Sequence, residues 1–325
     1  MGGILGLDFS SATLRLALCR RGALLGAASV DIPEGLVREG RLTSAEALAQ
    51  LLRKAAADFG LRARRAAIVA PHELCVLRSL RLPPMNGRLL RKSLPYEFSE
   101  FLSGELDDYV YDYALVPDPR ADAMEVTAAA FPKEALGQLS DAVRRAGMLL
   151  TRVAPAESAC RALVRRAGEL SGEGEFCFLD LDFSLPRMFL FRGERHMATH
   201  VLDAGQRPLA EAVAAQFGVD AATASGYLLN NYGDCRNREY SAGIYRSMTA
   251  ELTRALDYFR YSNPGSALKG VWVCGDGVVL RPLMDSLAEA LGPNLRLAEE
   301  LVPGSEALPD GFRYVRAAGI AMDWR

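Results

Sequence analysis

Asp8, Ser10, Ser11 and Thr13 lie close together in the stretch Gly6-Leu7-Asp8-Phe9-Ser10-Ser11-Ala12-Thr13-Leu14-Arg15-Leu16. A carboxylate followed by a hydroxyl-rich turn is a donor set for a metal–phosphate group. The turn's backbone N–H groups would face the phosphate. The carboxylate would face its metal, directly or through water. An ordinary β-hairpin with an aspartate at its turn has the same composition, and short motifs of this kind recur by chance. A second stretch, Phe176 to Arg192, repeats the pattern with Asp180 and Asp182, and Leu7-Asp8-Phe9-Ser10 returns as Leu181-Asp182-Phe183-Ser184. Gly275 and Gly277 flank Asp276 directly after the apolar run Gly270 to Cys274.

Two further groups carry binding chemistry. Arg88, Arg91 and Lys92 stand early in a helical segment read as Arg88 to Leu102, with Glu97 and Glu100 late. That order opposes the helix dipole, which points to a packing or binding reason for it. Tyr109, Tyr111 and Tyr113 recur at period 2, so they share one face of a strand. Such a face is either a packing ladder or a half-wet contact surface. The only histidines are His72, His196 and His200. They give no Ser-His-Asp or Cys-His arrangement, and His196 and His200 read as surface residues. The six cysteines show no metal-ligand spacing and several sit in apolar runs. They read as reduced core thiols of a cytosolic protein. No residue is assigned a catalytic or metal-binding role.

The elements that must position these groups follow from periodicity. Ile4, Leu5 and Leu7 make a strand that ends at Asp8, and Leu14, Leu16 and Leu18 alternate with Arg15 in a second. Ala23 to Ile32 completes a three-strand meander. The same meander opens again at Phe176, so the chain reads as two related halves. Thr43 or Ser44 caps a helix to about Phe59. Strands follow at Ala66 to Ala70 and Cys75 to Leu82. Residues 82–148 read as an inserted α+β subdomain, with a helix from Pro132 to Arg145 as its last element. The first domain covers 1–81 and continues through a connecting helix over 149–174. The second domain covers 175–325, with a helical subdomain at about 206–268. Asn230 to Tyr240 reads as an exposed polar loop, and Ser241 to Tyr261 as one long helix. Tyr314 to Met322 carries an Ala-Ala-Gly core suited to close helix packing.

The composition bounds the function classes. The 325 residues are 50% hydrophobic and 24% charged, which suits two globular domains. A net charge of −2 gives no support to nucleic-acid or acidic-membrane binding. No apolar run approaches the roughly 18–20 residues that span a bilayer, and the N-terminus has no basic region of a signal peptide.

Taken in order, these motifs resemble the actin-like ATPase superfamily and, within it, the PilM-like type IV pilus assembly proteins. Gly6 to Leu16 resembles their first phosphate turn, and Pro33 to Gly40 their connector. Leu80 to Pro83 and Tyr96 to Tyr113 resemble their inserted subdomain. Leu252 to Phe259 resembles their long helix, Cys274 to Gly277 their adenosine turn, and Ala317 to Met322 their closing helix. The resemblance implies an α/β, actin-like (duplicated ribonuclease H-like) two-domain fold with an inserted small α+β subdomain. It also implies an ATP/Mg site of Asp8, Ser10, Ser11, Thr13, Asp180, Asp182, Gly275 and Gly277.

This sequence departs from the family pattern at that site. The family carries Asp-x-Gly at both phosphate turns. Here the glycine positions are Ser10 and Asp182, or Ser184 if Asp182 is the matching aspartate. Pro186 stands where a Thr is expected and Gly226 where a Lys is common. Nucleotide binding is therefore expected to be weak or lost. The implied role is a cytoplasmic scaffold that grips the cytoplasmic tail of a bitopic inner-membrane (PilN-like) partner. The grip would lie beside the inserted subdomain, with Arg88, Arg91, Lys92, Tyr109, Tyr111 and Tyr113 in contact. A hexameric secretion ATPase is a second implied partner, and the membrane is reached only through partners. The alternatives are a working ATPase or kinase and the cytoplasmic part of a type II secretion component.

Overall fold

Ile4–Phe9 forms β1, and the chain returns as β2 (Thr13–Arg20) and β3 (Ala23–Asp31), each pairing antiparallel with the strand before it. The computed structural model describes residues 2–10, 12–116, 123–167, 174–182, 186–193, 195–202, 206–263 and 268–322. Ser11, Ser184 and Ser171 to Glu173 lie outside the described residues. The connector folds into the small hairpin of β4 (Val37–Arg38) and β5 (Arg41–Leu42). α1 (Ala45–Asp58) starts at Ser44, whose side chain accepts from the Ala47 N–H, so Ser44 and not Thr43 is the cap. Leu48, Ala49, Leu52 and Ala55 of α1 are buried, as the helical period requires. β6 (Arg65–Val69) then joins β1 in parallel.

The next segment builds a separate small sheet. β7 (Val76–Leu82), β8 (Tyr109–Val116) and β9 (Met124–Pro132) pair antiparallel in the order β7-β9-β8. α2 (Gly87–Glu97) covers this sheet, and Leu90, Leu94 and Phe98 join Leu82, Val126, Ala128 and Ala130 in its own core. The helix stops five residues short of the expected Leu102 because Phe98 turns into that core, where its N–H bonds the Leu94 carbonyl. α3 (Lys133–Arg145) leaves the small sheet. Its Ala135, Leu139, Ala142 and Val143 belong to the larger core with Leu48 and Leu52. Residues 82–148 are therefore not the unit that the sequence implied. The small sheet takes in β7, which begins at 76, and gives up α3, whose apolar stripe faces α1. β10 (Leu149–Ala154) returns beside β6, and α4 (Ala156–Ala167) follows.

The second half repeats the plan. β11 (Glu175–Asp180), β12 (Arg187–Arg192) and β13 (Arg195–Val201) form the meander. α5 (Gln206–Phe217), α6 (Ala221–Asn230) and α7 (Glu239–Ser262) follow, then β14 (Leu268–Cys274) in parallel with β11. α8 (Arg281–Leu291), β15 (Leu295–Leu297) and α9 (Val315–Ala321) complete the chain. The two large sheets have the orders β3-β2-β1-β6-β10 and β13-β12-β11-β14-β15. In each, three antiparallel strands are extended by two parallel ones, which is the duplication visible in the sequence.

Contacts divide the chain into two units, and α9 from Arg316 onward belongs with the first. The sequence boundary that assigned everything after 175 to the second domain is corrected by close packing. A Cβ on Gly6 of β1 would lie 1.8 Å from the Ala317 carbonyl oxygen, and one on Gly319 would lie 2.5 Å from that of Ala159. Asn230 to Tyr240 is largely exposed, as expected, but it carries the 3-10 helix Tyr232–Asn237 and is anchored from within. Cys235 is buried there, and the Arg236 guanidinium donates to the carbonyls of Leu228, Leu229 and Val279. His200 is exposed, but His196 is half-buried and packs edge-on to Phe191. No cysteine forms a disulfide. Among the described residues no helix is long and apolar enough to cross a membrane.

Candidate functional site

At the first turn, β1 delivers Asp8 to the end of the strand and pairs it directly across from Arg15 of β2. Asp8 is 3% exposed. Its Oδ2 accepts from the Arg316 Nε of α9 at 2.9 Å, and the Arg15 Nη1 lies 3.9 Å away. Ser10 does what a glycine cannot. Its hydroxyl accepts from the N–H groups of Ala12 at 3.3 Å and Thr13 at 3.2 Å, while its own N–H donates to the Thr13 carbonyl. Two N–H groups of the turn are thereby engaged inside it.

In the second unit the strand-end carboxylate is Asp180, which is fully buried and pairs across the sheet with Arg187. The Arg187 Nη2 donates to Asp180 Oδ2 at 3.1 Å, and its guanidinium stands 5.3 Å over the Phe189 ring. Asp8 opposite Arg15 and Asp180 opposite Arg187 occupy the same place in duplicated meanders. Asp180 is therefore the counterpart of Asp8, and the repeated Leu-Asp-Phe-Ser letters, which favour Asp182, do not mark equivalent positions. Asp182 follows the strand and is also buried. Gly275 has φ +93, and a Cβ there would lie 2.8 Å from the Leu181 carbonyl carbon. Its N–H donates to the Phe312 carbonyl, and the Gly277 N–H donates to the Leu181 carbonyl at 2.9 Å. The structure thus gathers Asp180, Asp182, Gly275 and Gly277 at one end of a sheet and Asp8, Ser10 and Thr13 at one turn.

The third group lies on the small sheet. The Tyr109 hydroxyl donates to the Ser103 carbonyl and the Tyr111 hydroxyl to that of Leu106, each at 2.8 Å. All three tyrosines pack against the core under α2, and the Tyr111 ring meets Phe98 at 5.7 Å. They form a packing ladder. Burial pushes the Tyr111 phenol above its usual range, with Tyr109 and Asp107 adding to the shift. Arg88 and Lys92 are exposed. Arg91 lies over the Tyr113 ring at 5.0 Å and 3.7 Å from the Asp112 carboxylate.

Beside them opens a cavity of about 440 Å³ lined by Ala70, Cys75, Arg91, Ala129, Phe131, Leu136 and Val153 to Pro155, together with Val110, Tyr111 and Asp112. Among the described residues β8 is an edge strand bonded only to β9. Successive strand residues point to opposite faces. Val110 and Asp112 pair directly with Phe131 and Ala129 of β9, so these four share the face of the small sheet that lines the cavity.

The duplicated sheets, with strand–turn–strand carboxylates at both and a glycine turn after β14, define the actin-like ATPase fold. Solved structures agree. The PilM-PilN type IV pilus biogenesis complex is 25% identical with a TM-score of 0.81 over 98% of this chain and 97% of that one. The ethanolamine utilization protein EutJ from Carboxydothermus hydrogenoformans is 15% identical with a TM-score of 0.57 over 98% and 88%. A protein with actin-like ATPase fold from Bacteroides thetaiotaomicron is 7% identical with a TM-score of 0.51 over 99% and 96%. The family model of the type IV pilus assembly protein PilM matches residues 6–306, and the chain belongs to that family. Among curated proteins none matches the chain.

ATP and Mg²⁺, which the fold implies, are a poor fit to these donors. Mg²⁺ needs carboxylate or water oxygens at about 2.0–2.1 Å in near-octahedral order. Here each strand-end carboxylate is already held by a guanidinium. Among the described residues no cluster of three or more His, Cys, Asp or Glu side chains is placed to hold a metal ion. Sequence reasoning did not assign Arg316 or Arg187 a part. Arg187 was findable as the cross-strand neighbour of Asp180, but Arg316 is brought in from 308 positions away. Ala70 after β6 and the groove residues of β10 have no local signal at all.

Proposed function

We propose that this protein is a cytoplasmic scaffold of a type IV pilus assembly machine that grips the cytoplasmic tail of a bitopic, PilN-like inner-membrane partner. The observation that carries the proposal is an apolar groove on one face of the small sheet, beside its edge strand β8. An extended peptide added to such an edge gains main-chain hydrogen bonds, and side-chain pockets beside it supply specificity. Ala70, Val110, Phe131, Leu136 and Val153 offer an apolar wall, with Arg91 and Asp112 at the polar rim. The related structure is itself a complex of PilM with PilN, which supports a partner of that kind. The scaffold sits at the cytoplasmic face of the inner membrane through this partner, and a hexameric secretion ATPase is a further neighbour in the machine. Nucleotide binding is weak or lost, with Ser10 and Asp182 where the family has glycine.

The test is calorimetric titration of the partner's tail peptide into the full chain. Arg91→Glu is expected to weaken capture by about tenfold, or about 1.4 kcal/mol, while Arg207→Glu on α5 leaves it unchanged. Equal capture by the wild-type protein and Arg91→Glu would place the site elsewhere.

A further inference from the structure

We infer that Arg316 and Arg187 take the place of the metal ion, so that each phosphate-turn carboxylate of this chain carries an internal counter-ion and the scaffold holds its shape without Mg²⁺ or ATP. The inference deepens the proposed role by removing nucleotide as its regulator. It rests on that reading only for the tail-capture measurement.

The geometry repeats in both halves. Asp8 stands opposite Arg15 and Asp180 opposite Arg187 in register across their strand pairs. The Arg316 Nε donates to Asp8 at 2.9 Å, the distance of a charge-assisted hydrogen bond, and the Arg187 Nη2 donates to Asp180 at a longer 3.1 Å. Asp8, Arg15, Arg316, Asp180 and Arg187 are all more than nine-tenths buried. Coulomb interactions are strong there because little water screens them. A dication brought to the Asp8 oxygens would meet the positive charges of Arg15 and Arg316. At Asp180 it would meet the positive charge of Arg187.

The pairs are also built into the fold. Arg316 is seated by α9, which lies so close to β1 that Gly6 has no room for a Cβ. Arg152 holds the far end of α9 by donating to the Ile320 carbonyl at 3.1 Å and the Met322 carbonyl at 3.3 Å. Arg187 is fixed as the first residue of β12, with Phe189 beneath its guanidinium.

The test uses the wild-type full chain first. Mn²⁺ binding is followed by electron paramagnetic resonance, Mg·ATP binding by calorimetry, and the thermal midpoint with Mg·ATP or EDTA. The expected result is no Mn²⁺ or Mg·ATP dissociation constant tighter than about 100 μM and the same midpoint in both solutions. Micromolar binding of either, or a midpoint that moves with Mg·ATP, overturns the inference. The double variant Arg187→Met with Arg316→Met removes both guanidinium groups. It is expected to bind Mn²⁺ or Mg·ATP at least about tenfold more tightly than wild type; a folded double variant that gains nothing also overturns it. Arg316→Lys, which keeps the charge, should behave as wild type. If the double variant does not fold, the wild-type Mn²⁺ measurement decides alone. Tail-peptide capture is measured on the same wild-type sample with and without Mg·ATP. Capture that needs Mg·ATP contradicts the internal counter-ions, whereas no capture in either solution contradicts the tail-binding role and leaves them standing.

Discussion

Asp8 is worth more to this chain as an ion-pair partner than its neighbours in the turn disclose. Removing its charge takes away the carboxylate that two buried arginines, Arg15 and Arg316, approach. Breaking a buried pair from one side costs about 3–5 kcal/mol. Asp8→Asn should lower the free energy of unfolding by that order in urea titration; a loss under about 1 kcal/mol would show that the arginines find other partners. A second residue reports through pH. The Tyr245 hydroxyl donates to the Arg236 carbonyl, and burial pushes its phenol up to about 12. The folded state holds this proton more tightly than the unfolded chain does. Its contribution is therefore intact below pH 10 and is lost as pH rises through about 12. Tyr245→Phe should lose less stability than wild type between pH 10 and 12, and identical alkaline curves would refute the assignment. Residue types at the site were legible because a carboxylate beside hydroxyls is a local pattern. Their partners were not, since no periodicity links position 8 to position 316.

Among the elements, α2 and the small sheet show where local pattern succeeds and where it stops. The period-2 tyrosines do share a strand face, and Asn86 caps α2 by accepting from the Leu89 N–H. Which side that face meets is a tertiary fact, and the core under α2 claimed it. Tyr111→Ala would consequently remove packing and a hydrogen bond together, so Tyr111→Phe is the cleaner change. Arg91→Glu should leave the thermal midpoint within about 2 °C of wild type, because the exposed pair with Asp112 contributes at most about 1 kcal/mol. α9 supplies the converse case. Gly6→Ala places a methyl group against the Ala317 carbonyl and should shift the thermal midpoint down by several degrees, on the order of 1–3 kcal/mol of overpacking. An unchanged midpoint would mean that α9 does not hold its seat on β1. The Ala-Ala-Gly run announced this close approach, but not which strand it meets.

At the scale of the whole molecule, the duplicated sheets explain why the fold was readable. Each half must bury the same meander, so the same alternation of apolar residues is written twice. Domain limits were less readable because contacts return late. β7 pairs into the small sheet before the subdomain's expected start, and α9 packs on the unit that begins the chain. The structure sets the edge strand β8 beside an apolar groove, and the account turns on whether that strand receives the partner. Hydrogen–deuterium exchange on the intact chain, with and without the tail peptide, measures this most directly. The account predicts slowed exchange across Tyr109–Val116 of β8, with no change over Glu239–Ser262 of α7. Protection of α7 with β8 left unchanged would contradict it.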